Sequence, residues 1–292
     1  MNNRFFVGDF FLFNAFPTRF CCDSCPFCRK FRLSGNITHL FQSRINTDVA
    51  IAAADSDITK NLIYNFTEMQ AQVAEAARAC GRSPEEVRII AVSKTQPPEI
   101  IQAALDVGIT VFGENYAQEI KEKGAAFLSS TPAPEWHCIG HLQTNKVKMI
   151  APYVACVQSV DSARLANELQ KAASQLGRSI DVLLQVNTSG EESKSGCEPH
   201  EIYALAESVL KYNNLRIRGL MTIAAFSDDA EFVRPMFRLL RELRDDVQVK
   251  FPEARFNELS MGMSGDFAAA IQEGATMVRI GTAIFGARMK KE

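Results

Sequence analysis

The run Ile180-Asp181-Val182-Leu183-Leu184-Gln185-Val186 decides the fold class. Leucine, isoleucine and valine fill most of its positions and fall on both faces of an extended chain. A strand buried on both faces is typical of a parallel sheet, because helices cover such a sheet on each side. The run therefore predicts an α/β protein with a parallel sheet.

Seven further apolar runs lie before and after this one, and stretches with helical periodicity separate them. The predicted strands are Val87–Ser93, Thr110–Phe112, Trp136–Ile139, Cys156–Val160, Ile180–Val186, Leu215–Thr222, Phe256–Met261 and Met277–Ile280. The predicted helices are 58–79, 98–107, 115–127, 143–150, 162–176, 198–211, 231–248 and 264–273. Eight strands alternating with helices predict a single (β/α)₈ barrel of the TIM type.

A doubly wound open sheet is the competing architecture. It would carry a glycine-rich turn after its first strand to bind a dinucleotide phosphate. The first strand here is followed by Ser93-Lys94-Thr95-Gln96-Pro97, which has no glycine, and no Walker A spacing occurs in the chain. The barrel is therefore preferred.

The composition excludes two classes of partner. The 292 residues include 32 Lys and Arg against 34 Asp and Glu, a formal net charge of −2. A protein that binds nucleic acid by broad electrostatic attraction carries a clear basic excess. A membrane-spanning helix needs about 18 or more consecutive apolar residues, and the sequence has no such run. We therefore expect neither a nucleic acid nor a membrane partner.

The first 47 residues differ from the rest of the chain. They carry five Arg and one Lys against Asp9 and Asp23, and they hold 10 of the 20 Phe and four of the eight Cys. We predict that residues 1–55 form a disordered or targeting extension and that residues 56–292 form the barrel. An organellar transit peptide, a disordered tail and an over-extended gene start all stay open.

The C-x-x-C spacings within Cys21–Cys28 lack the second, separated pair of ligands that a structural zinc site needs. His137 and His141 are too far apart along a strand to share an ion. We therefore predict no metal. Of these two histidines, only His141 should reach the rim, with His137 a hydrogen-bonded residue of the barrel wall.

Polar side chains follow nearly every predicted strand, where barrel enzymes place their active sites. Lys94 is the most informative, because it directly follows the apolar run that ends at Val92. Burial against the barrel core lowers the pKa of a lysine and favours the neutral amine that forms Schiff bases. The alternative is an ordinary surface lysine whose ammonium reaches water.

The loops after the last two strands resemble the phosphate-binding loops of this fold. Glycines such as Gly265 and Gly281 let backbone N–H groups approach an anion, and Ser264 and Thr282 add hydroxyl groups. A helix starting near Ser264 would direct its positive end at that anion. Arg279 lies inside the last apolar strand, so we expect it to face a ligand or a carboxylate.

A lysine that forms Schiff bases and a phosphate site in one barrel leave two main chemistries open. One is the binding of pyridoxal 5′-phosphate as an internal aldimine. The other is an aldolase that forms a Schiff base with a phosphorylated sugar.

Seven motifs resemble those of the pyridoxal phosphate homeostasis protein family. The motifs lie at 91–95 (AVSKT), 112–116 (FGENY), 136–146 (WHCIGHLQTNK), 186–196 (VNTSGEESKSG), 219–223 (GLMTI), 259–266 (LSMGMSGD) and 279–286 (RIGTAIFG). The resemblance covers residues 58 to about 288. It implies a barrel similar to the cofactor domain of alanine racemase and of the eukaryotic-type ornithine decarboxylases.

The resemblance also implies roles for single residues. Lys94 corresponds to the lysine that forms the aldimine, and Arg279 corresponds to the partner of the pyridine nitrogen. The phosphate site is implied at Ser264, Gly265, Gly281 and Thr282, and Asn115, His141 and Met221 are implied to line the cofactor ring.

The function implied is pyridoxal 5′-phosphate homeostasis, with reversible binding at Lys94 that buffers the cofactor and delivers it to apo-enzymes. We expect a cytoplasmic monomer, with an organelle as the alternative if residues 1–55 are a transit peptide. No catalytic residue is assigned, and a carrier without turnover is preferred. The alternatives are an amino-acid racemase or decarboxylase of the same barrel type and, third, the aldolase.

Overall fold

Eight parallel strands close into a barrel in the computed structural model of the chain, which describes residues 36–191, 193–227 and 229–286, with side chains from Asp57 onward. Each strand pairs with its neighbours in chain order, and the first strand pairs with the eighth to complete the ring. The architecture predicted from the alternation of strands and helices is confirmed.

The strands all lie within two residues of their predicted positions. They are β1 (Arg88–Val92), β2 (Val111–Glu114), β3 (Glu135–Cys138), β4 (Val154–Val160), β5 (Ile180–Gln185), β6 (Leu215–Met221), β7 (Glu258–Ser260) and β8 (Met277–Ile280).

Helices alternate with the strands, and the first helix precedes β1. They are α1 (Asn36–Ala79), α2 (Pro98–Asp106), α3 (Ala117–Ala126), α4 (Val147–Ile150), α5 (Ala163–Gln175), α6 (Ile202–Leu210), α7 (Ala230–Lys250), α8 (Phe267–Gln272) and α9 (Thr282–Phe285). Short 3₁₀ turns lie at Pro84–Glu86, Thr144–Lys146 and Pro199–Glu201.

Several helix starts differ from the predictions. α4 and α6 begin four residues later than predicted, each after a 3₁₀ turn. α1 begins at Asn36 rather than at residue 58, within the stretch predicted to be an extension. Residues 1–35, including the Cys21–Cys28 segment, lie outside the described residues, so the proposed boundary at residue 55 stays a prediction. α8 begins at Phe267 rather than near Ser264, because the preceding residues form a tight turn described below.

The apolar core has two parts, as expected for a barrel whose strands are buried on both faces. The larger part packs the outer faces of the strands against the helices. The smaller part fills the barrel interior, and its buried members are Ile90, Cys156, Leu183, Met221 and Met277. Because strand residues alternate between the two faces, neighbouring positions on each strand point into the barrel or towards the helices.

Among the described residues, no helix is long and apolar enough to cross a membrane, and no cluster of His, Cys, Asp and Glu could hold a metal ion. The cysteines Cys80, Cys138, Cys156 and Cys197 are unpaired. Burial raises the pKa of the Cys138 and Cys197 thiols to about 12, so both stay protonated at neutral pH.

Candidate functional site

Lys94 lies in a tight turn at the carboxyl end of β1. The backbone N–H of Gln96 donates to the carbonyl oxygen of Ser93 at 3.0 Å, which closes the turn around Lys94 and Thr95. Thr95 has a φ of 66°, a left-handed conformation that glycine usually adopts and that is costly for a β-branched residue. The backbone hydrogen bond of this turn therefore fixes the position of Lys94 at the rim, and the backbone strain lies at the next residue, Thr95.

Lys94 shares a narrow cavity with two residues predicted to bind phosphate, Gly281 and Thr282. The full lining is Val92, Lys94, Gln96, Gly281, Thr282, Phe285 and Gly286. The pairing of β1 with β8 explains this meeting, because it brings the loop after the last strand beside the turn after the first. The cavity thus joins two groups that are almost 190 residues apart in sequence, the lysine and part of the predicted phosphate loop.

The loop after β7 forms a second tight turn. The Asp266 carboxylate accepts a hydrogen bond from the backbone N–H of Met263, and the Asp266 N–H donates to the Met263 carbonyl oxygen. Ser264 and Gly265, at the tip of this turn, are exposed. The turn therefore leaves the backbone of both residues and the Ser264 hydroxyl accessible to an anion. The helix predicted to start near Ser264 begins three residues later, at Phe267.

Gly262 allows this loop to approach the barrel closely. Its φ is 92°, and a Cβ at this position would lie 2.6 Å from the Ala270 Cβ and 3.1 Å from the Phe267 Cα. A side chain at residue 262 would therefore collide with α8. Its carbonyl oxygen accepts the backbone N–H of Arg279 at 3.0 Å, which ties the loop to β8.

Arg279 points into the barrel interior and is 5% exposed. Its guanidinium donates to the Ser260 Oγ at 2.7 Å and to the Thr222 carbonyl oxygen at 2.8 Å. Burial lowers the pKa of Arg279 to about 10, and the nearby Asp266 carboxylate opposes this shift. The expectation that Arg279 faces a ligand or a carboxylate is therefore met in part: Asp266 is near, but the direct partners are neutral oxygens.

A chain of hydrogen bonds continues from Arg279 through the barrel interior. The Ser260 hydroxyl donates to the Gln158 Oε1 at 2.6 Å, and the Gln158 Nε2 donates to the His137 Nδ1 at 2.7 Å. Since Nδ1 of His137 accepts, Nε2 carries the proton and donates to the Glu135 Oε1 at 2.7 Å. His137 is thus the buried, hydrogen-bonded wall residue predicted from the sequence. In this series of hydrogen bonds each residue donates to the next, from Arg279 at one end to Glu135 at the other.

Asn115 and His141 come together on a neighbouring part of the rim. A Cβ on Gly140 would lie 2.4 Å from the Asn115 carbonyl oxygen, so only a glycine lets the loop after β3 close onto the end of β2. Asn115 and His141 line one cavity of about 310 Å³. The His141 side chain is 55% exposed, and its Nδ1 lies 3.5 Å from the Asp161 Oδ2.

Met221, like Arg279, does not lie at the surface of the rim. It is fully buried at the end of β6 and packs in the interior cluster with Ile90 and Leu183. This places its side chain beneath the mouth of the barrel rather than among the exposed candidates Ser264, Thr282 and His141.

The sequence reasoning missed a buried ion cluster behind Lys94, formed by Glu114, Glu119 and Lys123. The Lys123 Nζ donates to the Glu114 Oε1 and to the Glu119 Oε2, both at 2.7 Å. Glu114 is fully buried and Lys123 is 5% exposed. The signal was present in the sequence, because Lys123 lies between Ile120 and Gly124 on the buried face of α3.

The two carboxylates of the buried ion cluster titrate differently. Burial raises the pKa of Glu114 to about 7, against the opposing effects of Lys123 and the Ser93 hydroxyl. Burial also acts to raise the pKa of Glu119, but hydrogen bonds from Lys123 and the backbone N–H of Thr95 outweigh it and hold that pKa below its usual range. Glu114 is therefore the member that takes up a proton near neutral pH.

The residues at this rim suit a phosphorylated aldehyde. Hydroxyl groups and glycine backbone at Ser264, Gly265, Gly281 and Thr282 suit a phosphate, and the amine of Lys94 suits a carbonyl carbon.

Comparisons with known proteins point to one family. Residues 64–289 match the family described as "Alanine racemase, N-terminal domain". The chain is 44% identical over 226 residues to the "Pyridoxal phosphate homeostasis protein" of Vibrio alginolyticus, covering 77% of this chain and 96% of that protein. It is 45% identical over 224 residues to the protein of the same name from Pseudomonas aeruginosa, covering 77% and 94%.

A solved structure agrees with these relatives. PipY of Synechococcus elongatus, determined with PLP bound, is 37% identical and superimposes with a TM-score of 0.65. The match covers 73% of this chain and 100% of that chain.

Proposed function

The chain belongs to the pyridoxal phosphate homeostasis protein family, and from this premise we propose that it binds pyridoxal 5′-phosphate reversibly through Lys94. In this role it limits the free aldehyde in the cell and supplies the cofactor to pyridoxal-phosphate-dependent apo-enzymes. We further propose that it acts in the cytoplasm, as a monomer, and without catalytic turnover.

One observation carries the proposal: Lys94 lines the same cavity as Gly281 and Thr282. An amine and a glycine-containing loop that line one cavity suit a ligand that carries an aldehyde and a phosphate on one small ring. A lysine elsewhere on the protein surface would not be expected to line a cavity with the loop after β8.

When it is bound, pyridoxal 5′-phosphate supplies an aldehyde carbon, with which a neutral amine forms a C=N bond as one water molecule leaves. Lys94 provides this amine at the end of β1. The Ser264 and Thr282 hydroxyls and the backbone at Gly265 and Gly281 are proposed to hold the phosphate, with Asn115, His141 and Met221 around the ring. Hydrolysis by water reverses the attachment, which a carrier requires.

Arg279 supports a carrier rather than an enzyme. A guanidinium at the pyridine nitrogen disfavours protonation of that nitrogen and so weakens the ring as an electron sink. Ser260 and the Thr222 carbonyl oxygen fix the guanidinium in the barrel interior. A weakened electron sink favours holding the cofactor over reactions that need a strongly stabilised carbanion, unless a second base is well placed.

Borohydride reduction followed by peptide mass mapping tests the proposal. After incubation with pyridoxal 5′-phosphate, the protein should carry one phosphopyridoxyl group, on Lys94. Lys94→Ala should lose this adduct, whereas Lys146→Ala, which changes another lysine of the rim, should keep it. No adduct on Lys94 in the unsubstituted protein would overturn the proposal. Exchange of amino-acid α-protons in heavy water would instead favour the racemase.

A further inference from the structure

The buried ion cluster reaches the residues on both sides of Lys94. The Lys123 Nζ donates to the Ser93 carbonyl oxygen at 2.8 Å, and the Ser93 hydroxyl donates to the Glu114 Oε1 at 2.6 Å. On the other side, the backbone N–H of Thr95 donates to the Glu119 Oε2 at 2.8 Å. Three charged side chains therefore hold the single turn that carries Lys94.

The Thr95 contact falls where the backbone is strained. A threonine at a φ of 66° is disfavoured by about 1–3 kcal/mol and persists only where the surroundings enforce it. The Glu119 carboxylate supplies such an enforcing contact, since it accepts the N–H of Thr95 itself. Without that contact we expect the turn to relax and Lys94 to move.

Burial of these charges is costly, and stability alone does not account for it. Taking a lysine and a carboxylate out of water costs several kcal/mol per ion, and apolar replacements of similar volume are often neutral or stabilising. Glu114 is also left with a fully buried oxygen, Oε2, that has no hydrogen-bond partner in the described part of the chain. Such an arrangement indicates a role other than packing.

We propose that Glu114, Glu119 and Lys123 are positioning residues that direct Lys94 at the cofactor and make its attachment depend on the proton held by the cluster. The proposal rests on the proposed function, because it concerns the same lysine. The three residues lie on β2 and α3, and they contact the turn that carries Lys94 rather than the cofactor.

The cluster also explains why Lys123 does not compete with Lys94 as the reacting amine. Its ammonium group has three N–H bonds, and these meet the Ser93 carbonyl oxygen, Glu114 and Glu119. These three hydrogen bonds anchor the Lys123 Nζ within the cluster, and Lys123 is not among the residues that line the cavity of Lys94.

Few groups besides these act on Glu114. Lys123 and Glu119 face it from α3, and the Ser93 hydroxyl faces it from the end of β1. From β3, the Cys138 thiol interacts with it but stays neutral, because burial raises the pKa of that thiol to about 12. A change of charge in the cluster near neutral pH is therefore a change at Glu114.

The experiment measures the rate at which borohydride traps pyridoxal 5′-phosphate on Lys94 in the full chain. Lys123→Met is compared with Lys121→Met, which removes an exposed lysine from the same helix. We expect Lys123→Met to slow trapping by about tenfold or more, since a small misplacement of a reacting group has effects of this size. Lys121→Met should trap at the original rate.

The isosteric variant Glu114→Gln keeps the test decisive if Lys123→Met does not fold. The trapping rate of the unsubstituted protein should change slope near pH 7, and Glu114→Gln should lose this change, whereas the exposed Glu122→Gln should retain it. Unchanged rates and pH profiles in both cluster variants would overturn the inference. An unsubstituted protein that forms no Lys94 adduct would instead overturn the proposed function.

Discussion

The two sides of the barrel mouth are built by different physical means. On the lysine side, around β1 and β2, the carboxylates of Glu114 and Glu119 and the ammonium of Lys123 hold the turn that carries Lys94. On the anion side, around β7 and β8, the positive φ of Gly262 lets the loop pack against α8, and the Arg279 guanidinium donates to two uncharged oxygens, the Ser260 Oγ and the Thr222 carbonyl oxygen.

This difference has a consequence for pH. The lysine side contains Glu114, whose pKa burial raises to about 7, so its hydrogen bonding changes in the neutral range. On the anion side, Arg279 keeps its charge there, because its pKa is lowered only to about 10. Near neutral pH the charge of Glu114 therefore changes, whereas the charge of Arg279 does not.

The anion side should be the more sensitive to a change in backbone volume. Gly262→Ala places a Cβ 2.6 Å from the Ala270 Cβ at a φ of 92°, so it combines overpacking with backbone strain. We expect a loss of about 2–4 kcal/mol in the free energy of unfolding, measured by urea denaturation. Retention of pyridoxal 5′-phosphate during dialysis should fall with it.

Gly265→Ala is the matched control for this substitution, since a Cβ there has no atom within 4 Å and no positive φ is required. It should change the free energy of unfolding little. Equal losses in the two variants would show that the close approach of Gly262 to α8 does not shape the anion side.

The lysine side should determine how stability varies with pH. Burial raises the pKa of Glu114 from its usual 4.5 to about 7, so the folded protein binds this proton more tightly than the unfolded chain does. The resulting stabilisation is complete below about pH 4.5 and is lost as the pH rises through about 7. Relative to the unsubstituted protein, Glu114→Gln should gain about 2–3 kcal/mol in unfolding free energy from pH 5 to pH 8.

A neutral change on the anion side provides the comparison. Ser260→Ala removes the donor to Gln158 and an acceptor of Arg279, at a cost of about 1–3 kcal/mol. This cost should be the same at every pH in the series. If Glu114→Gln also changed the unfolding free energy by the same amount at every pH, the stability of the lysine side would not depend on pH as proposed.

The smallest expected effect concerns the strained turn. Thr95→Gly relieves the cost of a φ of 66° but increases the conformational entropy of the unfolded chain, so we expect a net gain of about 1 kcal/mol or less. Gln96→Gly, in the same turn but without a positive φ, should only destabilise. A loss of stability in Thr95→Gly would mean that the threonine side chain, not the backbone, holds the turn.

Local sequence patterns were sufficient to predict the barrel. Each strand is a short apolar run and each helix has its own periodicity, so the alternation can be recognised without knowing which residues meet. The start of α8 was placed too early, at Ser264, because the hydrogen bond from the Met263 N–H to Asp266 has no periodic signal. The start of α1 was placed too late for a different reason, since residues 1–55 were set apart as an extension on their composition.

The candidate site was predictable as a set of strand ends, but its internal contacts were not. Lys94, Ser264 and Thr282 could be named because this fold places its sites after the strands. The position of Lys94 and Gly281 on one cavity depends on closure of β1 against β8, which is a long-range pairing. The buried position of Met221 likewise depends on which residues of β6 face the barrel interior and which face the helices.

The sequence by itself determined the order of strands and helices, the location of the rim and the residue types available there. Only the tertiary structure decided that Lys123 would be buried between Glu114 and Glu119, and that these charges would hold the turn around Lys94. The physical reason is that periodicity is a local property, whereas desolvation and ion pairing depend on which side chains the closed barrel brings together.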